Sequence, residues 1–186
     1  ALRKGLKAYF DAHKYGNATG ADLWQALGEA SGLEVGAIMN SWLEQPGYPV
    51  VTATVVDGQL TLSQQQFFIG AGEDKGRQWQ IPLNSNYAAA PELLTDQQIV
   101  VGDYQQLRAE SGQPFQLNVG NNSHFIVKYD ETLLADILRD ANSLSTISQL
   151  QLLQDQRLLS EGGLTSYATV VPLLQTFANS EHVVVT

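Results

Sequence analysis

The residue types best suited to zinc chemistry are scarce and widely spaced in this sequence. Its three histidines, His13, His124 and His182, lie far apart along the chain. A helical zinc motif needs two histidines four residues apart, so that both rings reach one metal ion. The sequence also has no cysteine, which excludes thiolate zinc sites, disulfides and thiol catalysis. We therefore predict no metal-binding residues, and we place His13 on a helix face.

Three further patterns could carry chemistry, but each favours a loop or a helix cap. Glycines within residues 70–76 miss the Gly-x-Gly-x-x-Gly spacing of a phosphate loop by one residue and lie among charged side chains. These are Gly70, Gly72 and Gly76. The adjacent acids Glu73/Asp74 and Asp130/Glu131 could pair for acid–base catalysis or hold calcium, but we expect them to be solvated. A Gly-x-Ser-x-Gly nucleophile elbow is absent, so we predict no catalytic and no cofactor-binding residues.

The composition indicates an acidic globular protein. The 186 residues carry 10 basic and 19 acidic side chains, a net charge of −9, and suit one sizeable domain or two small ones. Nucleic acids and anionic membranes are poor partners for such a chain. No apolar run approaches the roughly 20 residues of a membrane helix, and the basic N-terminal stretch does not lead into a signal core. We expect a cytoplasmic protein with no nucleic-acid and no membrane partner.

Helical periodicity dominates the sequence before Pro46. The segment Thr19–Asp22 has the form of a capping box at the start of a second helix, which Gly32 ends. Three amphipathic helices are therefore predicted. Their apolar faces are Leu2, Leu6, Tyr9, Phe10 and His13, then Leu23, Trp24, Leu27 and Ala30, then Val35, Ile38, Met39, Trp42 and Leu43.

From Tyr48 to Tyr129 the apolar period becomes two, and turn signals recur roughly every ten residues. Asp57-Gly58 predicts a type I′ hairpin turn between strands over residues 49–56 and 59–69. Because glutamines at 64–66 interrupt the apolar set, we expect the second strand to bend or leave the core there. Further strands are expected at Trp79–Leu83, Gln98–Val101, Phe115–Val119 and Phe125–Tyr129. Six or seven short strands of this kind predict a small antiparallel β-sandwich.

Helical periodicity returns after Asp130, which is a suitable N-cap. Further helices are expected over residues 149–159 and 166–177, separated by a turn at Gly162-Gly163. The expected fold is a multi-part α and β architecture, a small antiparallel β-sandwich flanked by helical segments at both ends. The apolar ending Val183–Thr186 is typical of a truncated chain, so we expect apolar residues near both ends to be exposed. These are Leu2, Leu6, Phe10 and Val183–Val185.

Clusters of specific residues cover nearly the whole chain. They are Tyr9–Thr19, Asp22–Trp24, Met39–Trp42, Gln45–Val50, Trp79–Leu83, Leu93-Leu94, Tyr129-Asp130 and Leu152–Leu174. Together they resemble the aminopeptidase N (gluzincin) family of zinc metallopeptidases. The first two clusters are specific, whereas the β-sandwich and the last helices match more loosely. An example is Phe115–Phe125, where Asn121–His124 departs from the family pattern.

The resemblance implies a fragment with three parts and no catalytic residue of its own. Residues 1–46 would be the helical tail of a catalytic domain, 47–130 a β-sandwich linker domain, and 131–186 the first helices of a truncated C-terminal helical domain. Family members use zinc to remove N-terminal residues from peptides, so zinc and peptide substrates would belong to the parent enzyme. Gly36–Asn40 resembles the family's substrate-binding strand but lies on a helical stripe, so we interpret Ile38 and Met39 as core residues.

The implied function is therefore a non-catalytic structural segment that links the catalytic and C-terminal lobes, with the remaining domains of the parent chain as its partners. The alternative is a stand-alone β-sandwich module that binds a protein or glycan. In that case Trp79, Tyr87 and Tyr104, near predicted loops, could be its anchors. A small hydrolase with dispersed catalytic residues has no positive support in the sequence.

Overall fold

The computed structural model describes residues 1–70, 72–141 and 144–178. The chain forms two compact units, Ala1–Pro46 and Gly47–Thr186. None of the helices in the described ranges combines the length and apolar character that crossing a bilayer requires.

The first unit consists of three helices, α1 (Leu2–Ala12), α2 (Gly20–Ser31) and α3 (Val35–Leu43). The capping box is confirmed, because the Thr19 side chain accepts a hydrogen bond from the Asp22 N–H and the Asp22 carboxylate accepts one from the Thr19 N–H. Gly32 ends α2 in the left-handed conformation, with φ of 74°. The three helices predicted for this region are confirmed.

Two apolar side chains of α1 are exposed, as expected: Leu2 and Phe10 each have 64% of their surface accessible. Leu6 is partly buried instead. The expectation for Val183–Val185 falls outside the described residues.

A four-stranded sheet lies at the centre of the second unit. Its strands are β1 (Pro49–Val56), β2 (Gln59–Gln66), β5 (Gln98–Asp103) and β6 (Ile126–Tyr129), in the spatial order β5-β2-β1-β6. A separate two-stranded sheet pairs β3 (Ile81–Pro82) with β4 (Leu93–Leu94). The predicted hairpin is confirmed, because β1 and β2 pair antiparallel around Asp57 and Gly58, whose φ values are 50° and 78°.

The sequence pattern predicts a purely antiparallel sheet, but the main sheet is mixed. Strand β6 runs parallel to β1, with Val50 opposite Ile126 and Ala53 opposite Tyr129. A helix and a long irregular segment separate β6 from β5, so β6 is not constrained to return as a hairpin partner. The fold is thus mixed α and β, with a small sheet and helices on both sides of it in the sequence.

The strand predicted over Phe115–Val119 is wrong. Asn118 has a φ of 52°, which breaks the extended conformation, and its amide side chain closes a loop by hydrogen bonds to the Ser123 backbone at 2.8 and 2.9 Å. Phe115 and Leu117 are nevertheless buried, whereas Val119 is exposed. The alternation therefore arose from a buried loop and not from a strand.

Helix α4 (Tyr104–Ser111) was not predicted. Its N-cap is Asp103, whose carboxylate accepts a hydrogen bond from the Gln106 N–H at 2.8 Å, and its C-cap is Gly112. Asp103 and Gly112 are the sequence features that could have predicted this helix. The helix lacks a sustained apolar stripe, and the period-two pattern around it predicted strands instead.

The remaining elements agree with the helices predicted after residue 130. They are α5 (Glu131–Arg139), α6 (Thr146–Glu161), a 3₁₀ turn (Tyr167–Thr169) and α7 (Val170–Phe177). The prediction of Asp130 as an N-cap is confirmed, because its side chain accepts a hydrogen bond from the Leu133 N–H.

Candidate functional site

A buried carboxylate ties helix α6 to strand β6. Asp155 is 8% exposed and accepts a hydrogen bond from the Val127 N–H at 3.1 Å. Burial penalises the charged form and raises the pKa of Asp155 to about 7, outweighing the lowering effect of the Val127 hydrogen bond. At neutral pH this carboxyl therefore holds its proton part of the time.

Asp130 makes a second link, between helix α5 and strand β1. Its Oδ1 accepts a hydrogen bond from the Leu133 N–H at 2.8 Å, and its Oδ2 accepts one from the Val55 N–H at 2.7 Å. One side chain thus satisfies a helix N-terminus and a strand amide together.

An apolar cluster packs α6 against the sheet. It consists of Val50, Phe67, Ile126 and Leu159, with Tyr48, Leu158 and Leu164 packed against it. At Gly162, directly after α6, a Cβ would lie 2.7 Å from Cε2 of Phe67 and 2.9 Å from the backbone oxygen of Phe68. A side chain at this position would push α6 away from the sheet. We call Asp130, Asp155, Gly162 and this cluster the sheet–helix joint.

Helices α4 and α5 are held together by a charged network. The Tyr104 hydroxyl donates to the buried Asp136 carboxylate, and Arg108 donates to it from Nε at 2.8 Å. A second Arg108 nitrogen donates to Asp140 at 3.0 Å, and Arg139 lies 3.7 Å from Asp136. Burial acts to raise the pKa of Asp136, but the hydrogen bonds from Tyr104 and Arg108 and the nearby positive charges outweigh it and lower the pKa.

Gln64, in the middle of β2, is 2% exposed and crosslinks the sheet unit through its side chain. Its amide oxygen accepts a hydrogen bond from the Trp79 N–H at 2.8 Å, and its amide nitrogen donates to the carbonyls of Trp79 and Asp96, each at 3.0 Å. Of the two alternatives expected for β2, a bend or departure from the core, departure from the core is therefore wrong. A buried glutamine is tolerated here because backbone groups satisfy both ends of its amide.

Replacing Gln64 with leucine is expected to lower the free energy of unfolding by about 2 to 3 kcal/mol, since buried polar groups at Trp79 and Asp96 would lose their partner. The matched control is Gln65→Leu, one position along the strand and half-buried, where we expect a change under about 1 kcal/mol. Urea unfolding followed by tryptophan fluorescence measures both values. Equal effects of the two substitutions would contradict the crosslinking role of Gln64.

Comparison with known proteins relates this fold to one peptidase family. Residues 1–42 match the model of the peptidase family M1 domain. The chain is 62% identical over 185 residues to aminopeptidase N of Lactobacillus delbrueckii subsp. lactis and 64% identical over 182 residues to that of Lactobacillus helveticus. It is 31% identical over 194 aligned residues to the puromycin-sensitive aminopeptidase of Caenorhabditis elegans. These alignments cover 99%, 97% and 99% of this chain, but only 22%, 21% and 20% of the relatives.

Along nearly its whole length the chain matches one segment of aminopeptidase N family proteins. It spans about a fifth of the length of the curated relatives it matches. The similarity extends through both compact units, so the sheet–helix joint lies inside the region shared with these relatives.

The aminopeptidase N family implies a zinc ion, and the described residues do not fit one. His13 follows the last residue of α1 and packs 5.3 Å from the Tyr9 ring, and the exposed His124 packs 5.0 Å from the Tyr48 ring. Over residues 1–70, 72–141 and 144–178, no group of three or more His, Cys, Asp or Glu side chains could hold a metal ion. His182 lies outside the described residues, so the absence of metal ligands from this chain stays a prediction.

The glycine-rich segment and Glu73/Asp74 lie in a loop, and Asp130/Glu131 lie at the N-terminus of α5. The Asp74 carboxylate accepts a hydrogen bond from the Gly76 N–H at 2.9 Å, which closes a turn within the loop. Glu73 and Glu131 are exposed, and the Asp130 carboxylate accepts the Val55 hydrogen bond of the sheet–helix joint. The interpretation of residues 70–76 as a loop agrees with the structure of its described residues.

The three aromatic residues considered as binding anchors are in the core. Trp79, Tyr87 and Tyr104 are 0%, 3% and 6% exposed. The Tyr87 hydroxyl donates to the Gln113 carbonyl at 2.7 Å, and its ring packs edge-on against Phe115 at 5.0 Å. Their proposed role as binding anchors is wrong, because the fold buries all three side chains.

Proposed function

We propose that this chain is a non-catalytic connecting segment of a longer, zinc-dependent aminopeptidase that removes N-terminal residues from peptides. In this proposal residues 1–46 end the catalytic domain, residues 47–130 form a linker domain, and residues 131–186 begin a C-terminal helical domain. Its partners are the remaining domains of the same polypeptide, and peptides are substrates of the whole enzyme. We also propose that the enzyme is cytoplasmic.

The sheet–helix joint is the observation that carries the proposal. The backbone of β6 donates to Asp155 on α6, and the backbone of β1 donates to the cap of α5. Strands β1 and β6 and helix α6 each contribute a side chain to one apolar cluster. A segment built this way resists bending between its sheet and its helices, because bending would expose apolar surface and break buried hydrogen bonds. That rigidity suits a spacer that holds two larger lobes at a set separation.

The burial of Trp79, Tyr87 and Tyr104 leaves the alternative, a stand-alone binding module, without the anchors it requires. We therefore retain the connecting role alone.

Metal analysis and a peptidase assay test the non-catalytic part of the proposal. The purified 186-residue chain is expected to bind no stoichiometric zinc and to hydrolyse alanyl and lysyl amides at less than about 1% of the rate of the full-length enzyme, since no ligand set lies in its described residues. One zinc ion per chain, or hydrolysis that a chelator abolishes, would refute it.

A further inference from the structure

A small cavity lies beside Asp155, between α6 and the end of β6. It leaves about 20 Å³ for the centre of a water molecule. One water needs roughly 10 to 15 Å³ by this measure, so the cavity has room for a single water. The polar residues among its described lining are Gln116, Tyr129, Ser148, Gln151 and Asp155.

Polar groups with unused hydrogen-bonding capacity converge on this cavity. Asp155 accepts one hydrogen bond, from the Val127 N–H, which leaves most of its carboxyl capacity free. The buried Tyr129 hydroxyl accepts a hydrogen bond from the Leu117 N–H at 3.0 Å, and within the described ranges no acceptor is found for its own hydrogen. Gln151, 9% exposed, contributes a further amide to the same lining.

We propose that this cavity binds one internal water molecule, held by Tyr129, Asp155 and Gln151. The water accepts the Tyr129 hydroxyl hydrogen and shares hydrogen bonds with the other two side chains. The Tyr129 hydroxyl and the Asp155 carboxyl each have one protein partner and capacity for another, and a water in the cavity can use both. It links β6, the Leu117 segment and α6, so it is a structural part of the joint.

A water molecule fits these observations better than a metal cation. Calcium takes roughly six to eight oxygen ligands, and magnesium requires octahedral coordination. The described lining has five polar side chains around a space for one water molecule, and four of them are uncharged, so it does not supply such a shell. Among the described residues the lining carries a single carboxyl, and burial favours the neutral form of that group.

A crystal structure of the unmodified protein at about 1.5 Å resolution tests the proposal without any substitution. We expect one ordered water within about 2.7 to 3.2 Å of the Tyr129 hydroxyl and the Asp155 carboxyl. Three results would each overturn it. They are a cavity without water density, a collapsed cavity with a direct Tyr129–Asp155 hydrogen bond, and an anomalous signal in the cavity after a rubidium soak.

Water–amide NMR cross-relaxation gives a second readout in solution. The Leu117 and Val127 amides are expected to show the negative cross-peaks of a long-lived water, and Tyr129→Phe is expected to abolish the Leu117 peak. The control Tyr167→Phe changes a tyrosine that is 61% exposed and should leave both peaks unchanged. Persistence of the Leu117 peak in folded Tyr129→Phe protein would contradict the role of the Tyr129 hydroxyl as a water ligand.

Discussion

Asp136→Ala is expected to lower the free energy of unfolding by about 3 kcal/mol, because it leaves the Arg108 guanidinium and the Tyr104 hydroxyl without their shared acceptor. The Asp136 side chain is 10% exposed and that of Arg108 is 28% exposed. Removing Asp136 takes the buried acceptor from both groups and leaves Arg108 only its more exposed ion pair with Asp140, which is why the expected effect is large.

The matched control is Asp140→Ala, which removes the other carboxylate that contacts Arg108. The Asp140 side chain is 45% exposed, so its ion pair with Arg108 is screened by solvent. We expect this substitution to lower the free energy of unfolding by less than about 1 kcal/mol. Chemical denaturation at neutral pH measures both variants, and a loss for Asp140→Ala as large as that for Asp136→Ala would rule out the network as described.

Asp155→Asn is expected to stabilise the protein at pH 8 and to have little effect near pH 4. The folded-state pKa of Asp155 is raised from 3.8 to about 7, so its contribution to stability is fully present below the unfolded pKa and is lost as the pH rises through 7. Asparagine has no charge to gain, and its side-chain oxygen can still accept the Val127 hydrogen bond.

The difference in unfolding free energy between Asp155→Asn and the unmodified protein should therefore increase from about pH 4 to pH 8 and then level off. The rise in the pKa of Asp155 from 3.8 to about 7 corresponds to a difference of at most about 4 kcal/mol. Tyr48 and Tyr129, the titratable neighbours of Asp155, both have a raised pKa and stay neutral in this range. Urea titrations at several pH values measure the difference, and a difference independent of pH would show that Asp155 is ionised throughout.

Elements that local chemistry specifies could be predicted from the sequence. The Asp57-Gly58 turn, the Thr19–Asp22 capping box and the Asp130 N-cap each depend on residues a few positions apart. The family could also be predicted, because its residue clusters run through most of the chain.

Features that depend on distant contacts could not be predicted. Nothing local in Ile126–Tyr129 specifies that this strand pairs parallel with β1, because the partner is more than seventy residues away. Buried polar residues were missed for the same reason. Gln64 and Asp155 look like surface residues in sequence, and only tertiary structure supplies the backbone groups that make their burial tolerable.

Kinetics of the full-length enzyme carrying Gly162→Val test the connecting role most directly. The added side chain would meet Phe67 and the Phe68 backbone, so α6 must move relative to the sheet, whereas Gln154→Val changes an exposed position on the same helix and serves as the control. If this chain acts as a spacer, Gly162→Val should lower kcat/KM for peptides several-fold with zinc content unchanged, and the control should match the unmodified enzyme. Unchanged kcat/KM in Gly162→Val, or loss of zinc together with activity, would contradict the connecting role.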